Sequence, residues 1–206
     1  MRSLGGLGRF SLMASGAWGT GQGWGAALPD AYTCLQMGWT QELTLPTVAG
    51  EPDSIVPWRE NGAAYRIWTA GESGAEFFLL ETRNPLQTAP FDAGLPAGPL
   101  LVYHLDEAVP EGNWAVDGPQ QWHLRVNLVE ADADGQLRSG LDDGRAEDLF
   151  PGPLQVTEFG PGTVPSSWGY DGNSQVTLAA IASADSLVTL RASAAEDPTF
   201  APAYTG

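Results

Sequence analysis

Two uninterrupted apolar runs, Phe77 to Leu80 and Leu100 to Leu105, constrain this chain more than any other feature. A half-exposed strand alternates apolar and polar residues, so a continuous run of this length, bounded by turn residues, predicts a strand covered on both faces. Both runs lie within EFFLLETRNPLQTAPFDAGLPAGPLLVYHLDE, Glu76 to Glu107, pass into ionisable residues and flank a connection punctuated by Pro and Gly. They are expected at the centre of a sheet, with other elements stacked above and below.

The remaining pattern is mainly β. In QWHLRVNLVE, Trp122, Leu124, Val126 and Leu128 face one way and His123, Arg125 and Asn127 the other, which describes a half-buried strand. Tyr65, Ile67 and Thr69 alternate similarly. Near the C-terminus Gln175 to Ile181 and Ser186 to Ala192 read as a hairpin. A Pro/Gly-rich connection precedes it and separates either two sheets or two small domains, with a subdivision near 150–165. Ahead of the strands, residues 1–28 are dense in glycine and read as loop, and Asp30 caps a short helix carrying Tyr32, Leu35 and Trp39, with Gly38 near its end. The expected fold is therefore a short N-terminal helix and Gly-rich loop followed by antiparallel sheets, a β-sandwich being one arrangement. No other helix is expected.

Charge narrows the function classes. Nine Lys and Arg stand against 25 Asp and Glu, a formal net charge of −16. Such a surface repels phosphate backbones and anionic lipid, so no nucleic-acid partner is expected, and no apolar segment approaches the ~20 residues of a membrane helix. Acidic surfaces of this kind instead stay solvated or collect divalent cations. The N-terminal stretch MRSLGGLGRFSLMASG has too many glycines and too short an apolar core to read as a signal peptide. The single Cys34, in an apolar helical context, is expected to be a buried structural thiol.

Two groups of residues carry the chemistry of a metal site. In EADADG, Glu130, Asp132 and Asp134 alternate ahead of Gly135, a spacing at which carboxylates converge when the glycine turns the loop, as Ca²⁺ requires. Asp142, Asp143, Glu147 and Asp148 follow. An EF-hand is excluded, because its twelfth position, counted from Glu130, is Leu141, and flanking helices are not expected. A solvated acidic loop is the plain alternative. The second group is His104, Asp106 and His123: the first two project to one side of a strand, and His123 joins them if its strand is the neighbour. The plain alternative is two ordinary satisfied histidines. No Gly-x-Ser-x-Gly elbow occurs, abundant acids make a glycosidase pair unspecific, and Trp residues suit sugar stacking as well as core packing.

A series of segments, in order, resembles the immune inhibitor A family of secreted zinc metalloproteases. GLGRFSLMASGAWG, residues 6–19, is similar to the family's segment bearing the Met-turn, so that Met13 matches the methionine beneath the metal. LPDAYTCLQMGW resembles a helix ending in Leu-Gly-Trp, with Met37 where Leu is usual. EFFLLETRN, FDAGLPAGPLLVYHLDE and HLRVNLVEADADG match three following segments, and DLFPG with VPSSWGYDGNSQVTLAAIA resembles the start of a trailing β region. The resemblance implies an extracellular zinc endopeptidase acting on protein or peptide substrates, with Ca²⁺ as accessory ion. It divides the chain into a catalytic-domain remnant over 1–45 and a post-catalytic β region over 46–206. The family's His-Glu-x-x-His motif lies upstream of its Met-turn and has no match here, nor does His104 or His123 match a zinc ligand. The expectation is the C-terminal part of a metallopeptidase, inactive alone, with a noncatalytic Ca²⁺-stabilised β-rich binding module, carbohydrate being one candidate ligand, as the alternative.

Overall fold

The computed structural model describes residues 6–18, 25–45, 53–55, 63–69, 73–83, 91–95, 100–110, 123–172, 174–184 and 187–194. Its strands are β1 (Gln41–Thr44), β2 (Asp53–Ile55), β3 (Ala63–Trp68), β4 (Glu76–Thr82), β5 (Leu100–Asp106), β6 (Val126–Leu128), β7 (Thr177–Ala184) and β8 (Leu187–Ser193). Two short helices accompany them, α1 (Ala31–Gln36) and α2 (Gln136–Ser139). The protein is mainly β, arranged as a five-stranded sheet in the order β1-β3-β4-β5-β6 and a three-stranded sheet in the order β2-β8-β7.

The two apolar runs are β4 and β5, antiparallel neighbours inside the larger sheet. Successive strand residues point to opposite faces, so each run feeds two cores. Phe78, Leu80, Leu100 and Val102 meet Leu178, Ile181, Val188 and Leu190 of the smaller sheet. On the opposite face Phe77, Leu79, Leu101, Tyr103 and Leu105 meet Leu7, Phe10, Ala31 and Tyr32 from the N-terminal segment, together with Leu137 and Leu149. Being sandwiched between these layers is why the runs contain no solvent-facing position.

The Pro/Gly-rich connection stitches the layers together. Phe150 bridges Leu100 at the start of β5, and Phe159 bridges Leu178 in β7. The Phe159 ring meets Phe78 edge-on at 5.2 Å and Phe150 at 5.7 Å, contacts worth about 0.5–1.5 kcal/mol each beyond area burial. β7 and β8 form the expected antiparallel pair, although β7 continues beyond Ile181 to Ala184. Those last residues are exposed and small, so no burial pattern marks them, while the ladder to β8 holds them extended.

Two expectations are corrected. The larger sheet is mixed, because β1 pairs parallel to β3. All four β1 residues are exposed, so no alternation signals their partner, and the stretch from Leu45 to Gly62 is long enough for the crossover that parallel pairing demands. Further, α2 is a second helix, a single turn between Gly135 and Gly140, both with left-handed backbone. It forms because the Glu130 carboxylate accepts its first N–H groups.

The N-terminal segment is fastened to the loop around α2. Gly8, at φ +48, passes so close that a Cβ there would lie 2.2 Å from the Asp143 carbonyl oxygen. The Arg9 N–H donates to that same oxygen at 2.7 Å. Only glycine admits this approach. Leu45, at the expected boundary between 1–45 and 46–206, packs in the core between the sheets.

Candidate cation site

Residues 130–148 leave β6, turn through α2 and return to the sheet by a short 3-10 turn at Ala146–Asp148. This path brings Glu130, Asp132, Asp134 and Asp148 together, each offering an oxygen within 4.8 Å of the others' oxygens. Among the described residues it is the one such group of metal-ligating side chains. The three residues read from the sequence thus converge, and Asp148 joins them. Of the four acidic residues that follow in sequence, it is the one that joins, ahead of the buried pair Leu149 and Phe150.

The donors around this cluster are unevenly shared. Glu130 accepts the Leu137 and Arg138 N–H groups at 3.0 and 2.9 Å. Asp132 and Asp134 each spend Oδ1 on a backbone N–H, from Asp134 and Gln136 respectively. Their Oδ2 atoms face the guanidinium of Arg145, which also lies 2.8 Å from Asp142. Asp148 is fully buried; one oxygen accepts the Arg145 N–H, while Oδ1 has no hydrogen-bond partner.

Burial dominates the resulting electrostatics. It pushes the Asp148 carboxyl up to about 7, with the charges of Asp132, Asp142 and Glu130 adding to the effect. It likewise raises Glu130, beside Asp134. Asp134 moves the other way, lowered by the Gln136 N–H and, more weakly, by Arg145. Divalent-ion binding displaces any proton such carboxylates carry, and the all-oxygen donor set suits a hard cation such as Ca²⁺.

The two histidines occupy another part of the sheet. β5 and β6 are neighbours as supposed, but His123 lies in the extended residues ahead of β6 rather than within it. His104 Nε2 is 2.6 Å from Glu76 Oε1, and His123 Nε2 is 2.7 Å from Asp106 Oδ2. Tyr170 lies between the imidazoles, stacked 4.4 Å from His104 and 3.7 Å from His123. Its N–H donates to Glu76 and its hydroxyl to the Leu124 carbonyl oxygen. The arrangement clamps the 160–172 segment onto the sheet. His104, Asp106 and His123 do not form a common ligand set, because each imidazole is held by its own carboxylate with an aromatic ring interposed. Tyr170 and Glu76 were not singled out from sequence.

Beneath the other face lies a buried polar network. Arg83 donates to Glu81 through Nε and Nη2, to Asp92 through Nη1, and to the Leu28 and Pro29 carbonyl oxygens. Tyr103 donates its hydroxyl to Glu81. Asp92 also takes the Leu28 N–H. Next to it Asp30 caps α1 through Thr33 and accepts the Ser11 hydroxyl at 2.6 Å, while Ser11 Oγ accepts the Met13 N–H. The turn bearing Met13 is therefore anchored from below, with Met13 itself 68% exposed. Cys34 is buried, its thiol directed at the Pro29 carbonyl oxygen at 3.7 Å.

A catalytic zinc takes about three protein ligands with an open position, and the described residues do not supply them: the histidines are separately engaged, Cys34 is inside α1, and the converged cluster is all carboxylate. No helix among the described residues is long and apolar enough to cross a membrane. No family model matches the chain, and no solved structure matches it either.

Proposed function

We propose that this chain supplies the Met-bearing turn and the following β region of a secreted zinc endopeptidase of the immune inhibitor A type, acting on protein or peptide substrates. The observation that carries the reading is Met13, presented to solvent on a turn that Ser11 and Asp30 pin to the start of α1. A methionine beneath a metal needs this combination of rigid support and an open upper face. The family's zinc ligands are not among these 206 residues, so in this reading polypeptide outside them provides the ligands and the Glu base.

Casein hydrolysis tests this. The purified 206-residue chain is expected to be inert, and the same chain joined to an in-frame upstream segment encoding His-Glu-x-x-His is expected to cleave. Cleavage by the 206 residues alone, lost to a chelator and restored by zinc, overturns the proposal, as does an upstream frame lacking those codons.

A second reading rests on the Glu130, Asp132, Asp134 and Asp148 cluster: a noncatalytic β scaffold stabilised by Ca²⁺. Support comes from the buried Asp148 oxygen without a donor. An ion that binds only the folded state adds about 2.7 kcal/mol at a hundredfold excess over Kd. Melting in EDTA and in millimolar Ca²⁺ measures it, and identical curves remove the ion from both readings.

A further inference from the structure

Arg145 occupies a peculiar place among the carboxylates. Its guanidinium reaches Oδ2 of Asp132 at 3.3 Å and Oδ2 of Asp142 at 2.8 Å, and pairs with Oδ2 of Asp134. On Asp132 and Asp134 the other oxygen is already committed to a backbone N–H. The oxygens left for an ion on those two residues are therefore the ones Arg145 holds. Its side chain is 40% exposed, so it has an open path to solvent. Asp148, wholly buried with Oδ1 unpartnered, marks the inner end of the same cluster.

Resting on the reading of this loop as a Ca²⁺ site, we infer that Arg145 is a tethered counter-cation that competes with the divalent ion for Asp132 and Asp134, so that Ca²⁺ binding swings its guanidinium into solvent. A guanidinium engages several carboxylates through a rigid fork, whereas a competing Ca²⁺ takes those oxygens into its own shell, and the two cannot share them. The loop then has two states, in each of which a cation faces the carboxylates. One is closed by Arg145; the other is closed by the ion, with Arg145 free on the surface. Because the Arg145 N–H also holds Asp148 and the Asp143 carbonyl oxygen holds the Arg9 N–H, the exchange takes place against the N-terminal segment that carries Met13.

The test is calorimetric titration of the full chain with CaCl₂ at fixed pH and ionic strength, for the native protein, Arg145→Gln and Arg145→Lys, each first checked for folding by circular dichroism. Competition predicts that Arg145→Gln binds about tenfold more tightly, a coupling within the ordinary range between linked sites. Arg145→Lys distinguishes competition from simple charge repulsion. Lysine keeps the charge but lacks the fork, so its affinity is expected between the other two, whereas repulsion alone leaves it equal to the native protein. In the native protein the Arg145 Nε–H resonance is expected to move on Ca²⁺ addition. Native-like affinity in both variants, or an unmoved resonance despite bound Ca²⁺, overturns the competition and leaves the site standing. Absence of binding in all three proteins overturns the site and the competition with it. Binding confined to the variants supports both.

Discussion

Among the described residues, Arg83 and Arg145 each sit among several carboxylates, and their surroundings differ in kind. Arg83 is 3% exposed and spends its donors on Glu81, Asp92 and two carbonyl oxygens, all held by β4, the Asp92 turn and the lead-in to α1. Arg145 is 40% exposed on its side chain and is the guanidinium facing Asp132, Asp134 and Asp142, with Glu130 and Asp148 close by. The Arg83 network has its cation built in and closed over by Tyr103 and Leu28. The Arg145 loop leaves its cation at the rim, and both places keep one buried carboxylate oxygen without a donor, Glu81 Oε2 in the first and Asp148 Oδ1 in the second. One holds its cation in the core; the other holds it where solvent reaches it.

The contrast is broken most directly at Arg83. Removing one partner of a buried charge pair leaves the other unpaired in a poor dielectric, a loss of about 3–5 kcal/mol. Arg83→Met keeps the bulk and deletes the charge, so denaturant unfolding is expected to show a loss of that size, independent of Ca²⁺. A loss under about 1 kcal/mol, the scale of exposed pairs, means that Arg83 does not stand in a buried ion pair with Glu81 and Asp92. Burial does push Glu81 above the usual carboxylate range, against the pull of Arg83 and Tyr103, which makes this a real alternative.

How much of this could be read from the residues follows from the same physics. β4 and β5 were legible because burial on both faces leaves an unbroken apolar run, and their central position follows from it. β1 was not legible as a parallel edge strand, since its exposed residues record no neighbour. Three members of the acidic cluster share one short stretch before a glycine and announced themselves. Asp148 needed the chain to return through a 3-10 turn. Tyr170 reaches Glu76 across a separation of 94 residues, and Asp30, Glu81, Arg83 and Asp92 meet from three segments. Networks assembled by tertiary contact leave no local spacing to read, whereas a loop that folds on itself does.

An effect of intermediate size concerns pH. The folded Asp148 carboxyl sits at about 7 against an ordinary 3.8, so between those values the folded chain keeps a proton that the unfolded chain has lost. Stability therefore falls as pH rises through that window, being greatest at its acid end. Asparagine cannot ionise. In EDTA, Asp148→Asn and the native protein are expected to have similar urea midpoints near pH 4, and the variant to be the more stable near pH 7. With Ca²⁺ present the order at pH 7 reverses, because the ion needs the carboxylate. A native protein that outlasts the variant at pH 7 in EDTA shows that Asp148 already has a cationic partner and that the loop is as closed to an outside ion as the Arg83 network.

The smallest expected effect sharpens the comparison at matched chemistry. Asp92→Asn and Asp142→Asn each neutralise an aspartate facing an arginine, at 3.3 and 2.8 Å respectively. Distance alone ranks Asp142 as the costlier loss. Burial ranks them the other way: Asp92 is wholly buried and also holds the Leu28 N–H, while the Asp142 pair shares a solvent-facing rim where exposed pairs contribute about 0.2–1 kcal/mol. Neutralising Asp142 also relieves the repulsion it exerts on Asp148, which cancels part of that contribution. Asp142→Asn is accordingly expected to change the unfolding free energy by less than about 0.5 kcal/mol, and Asp92→Asn by several times more. Equal costs in chemical denaturation erase the distinction between the two arginines, since they mean that the rim around Arg145 is as shielded from water as the core around Arg83.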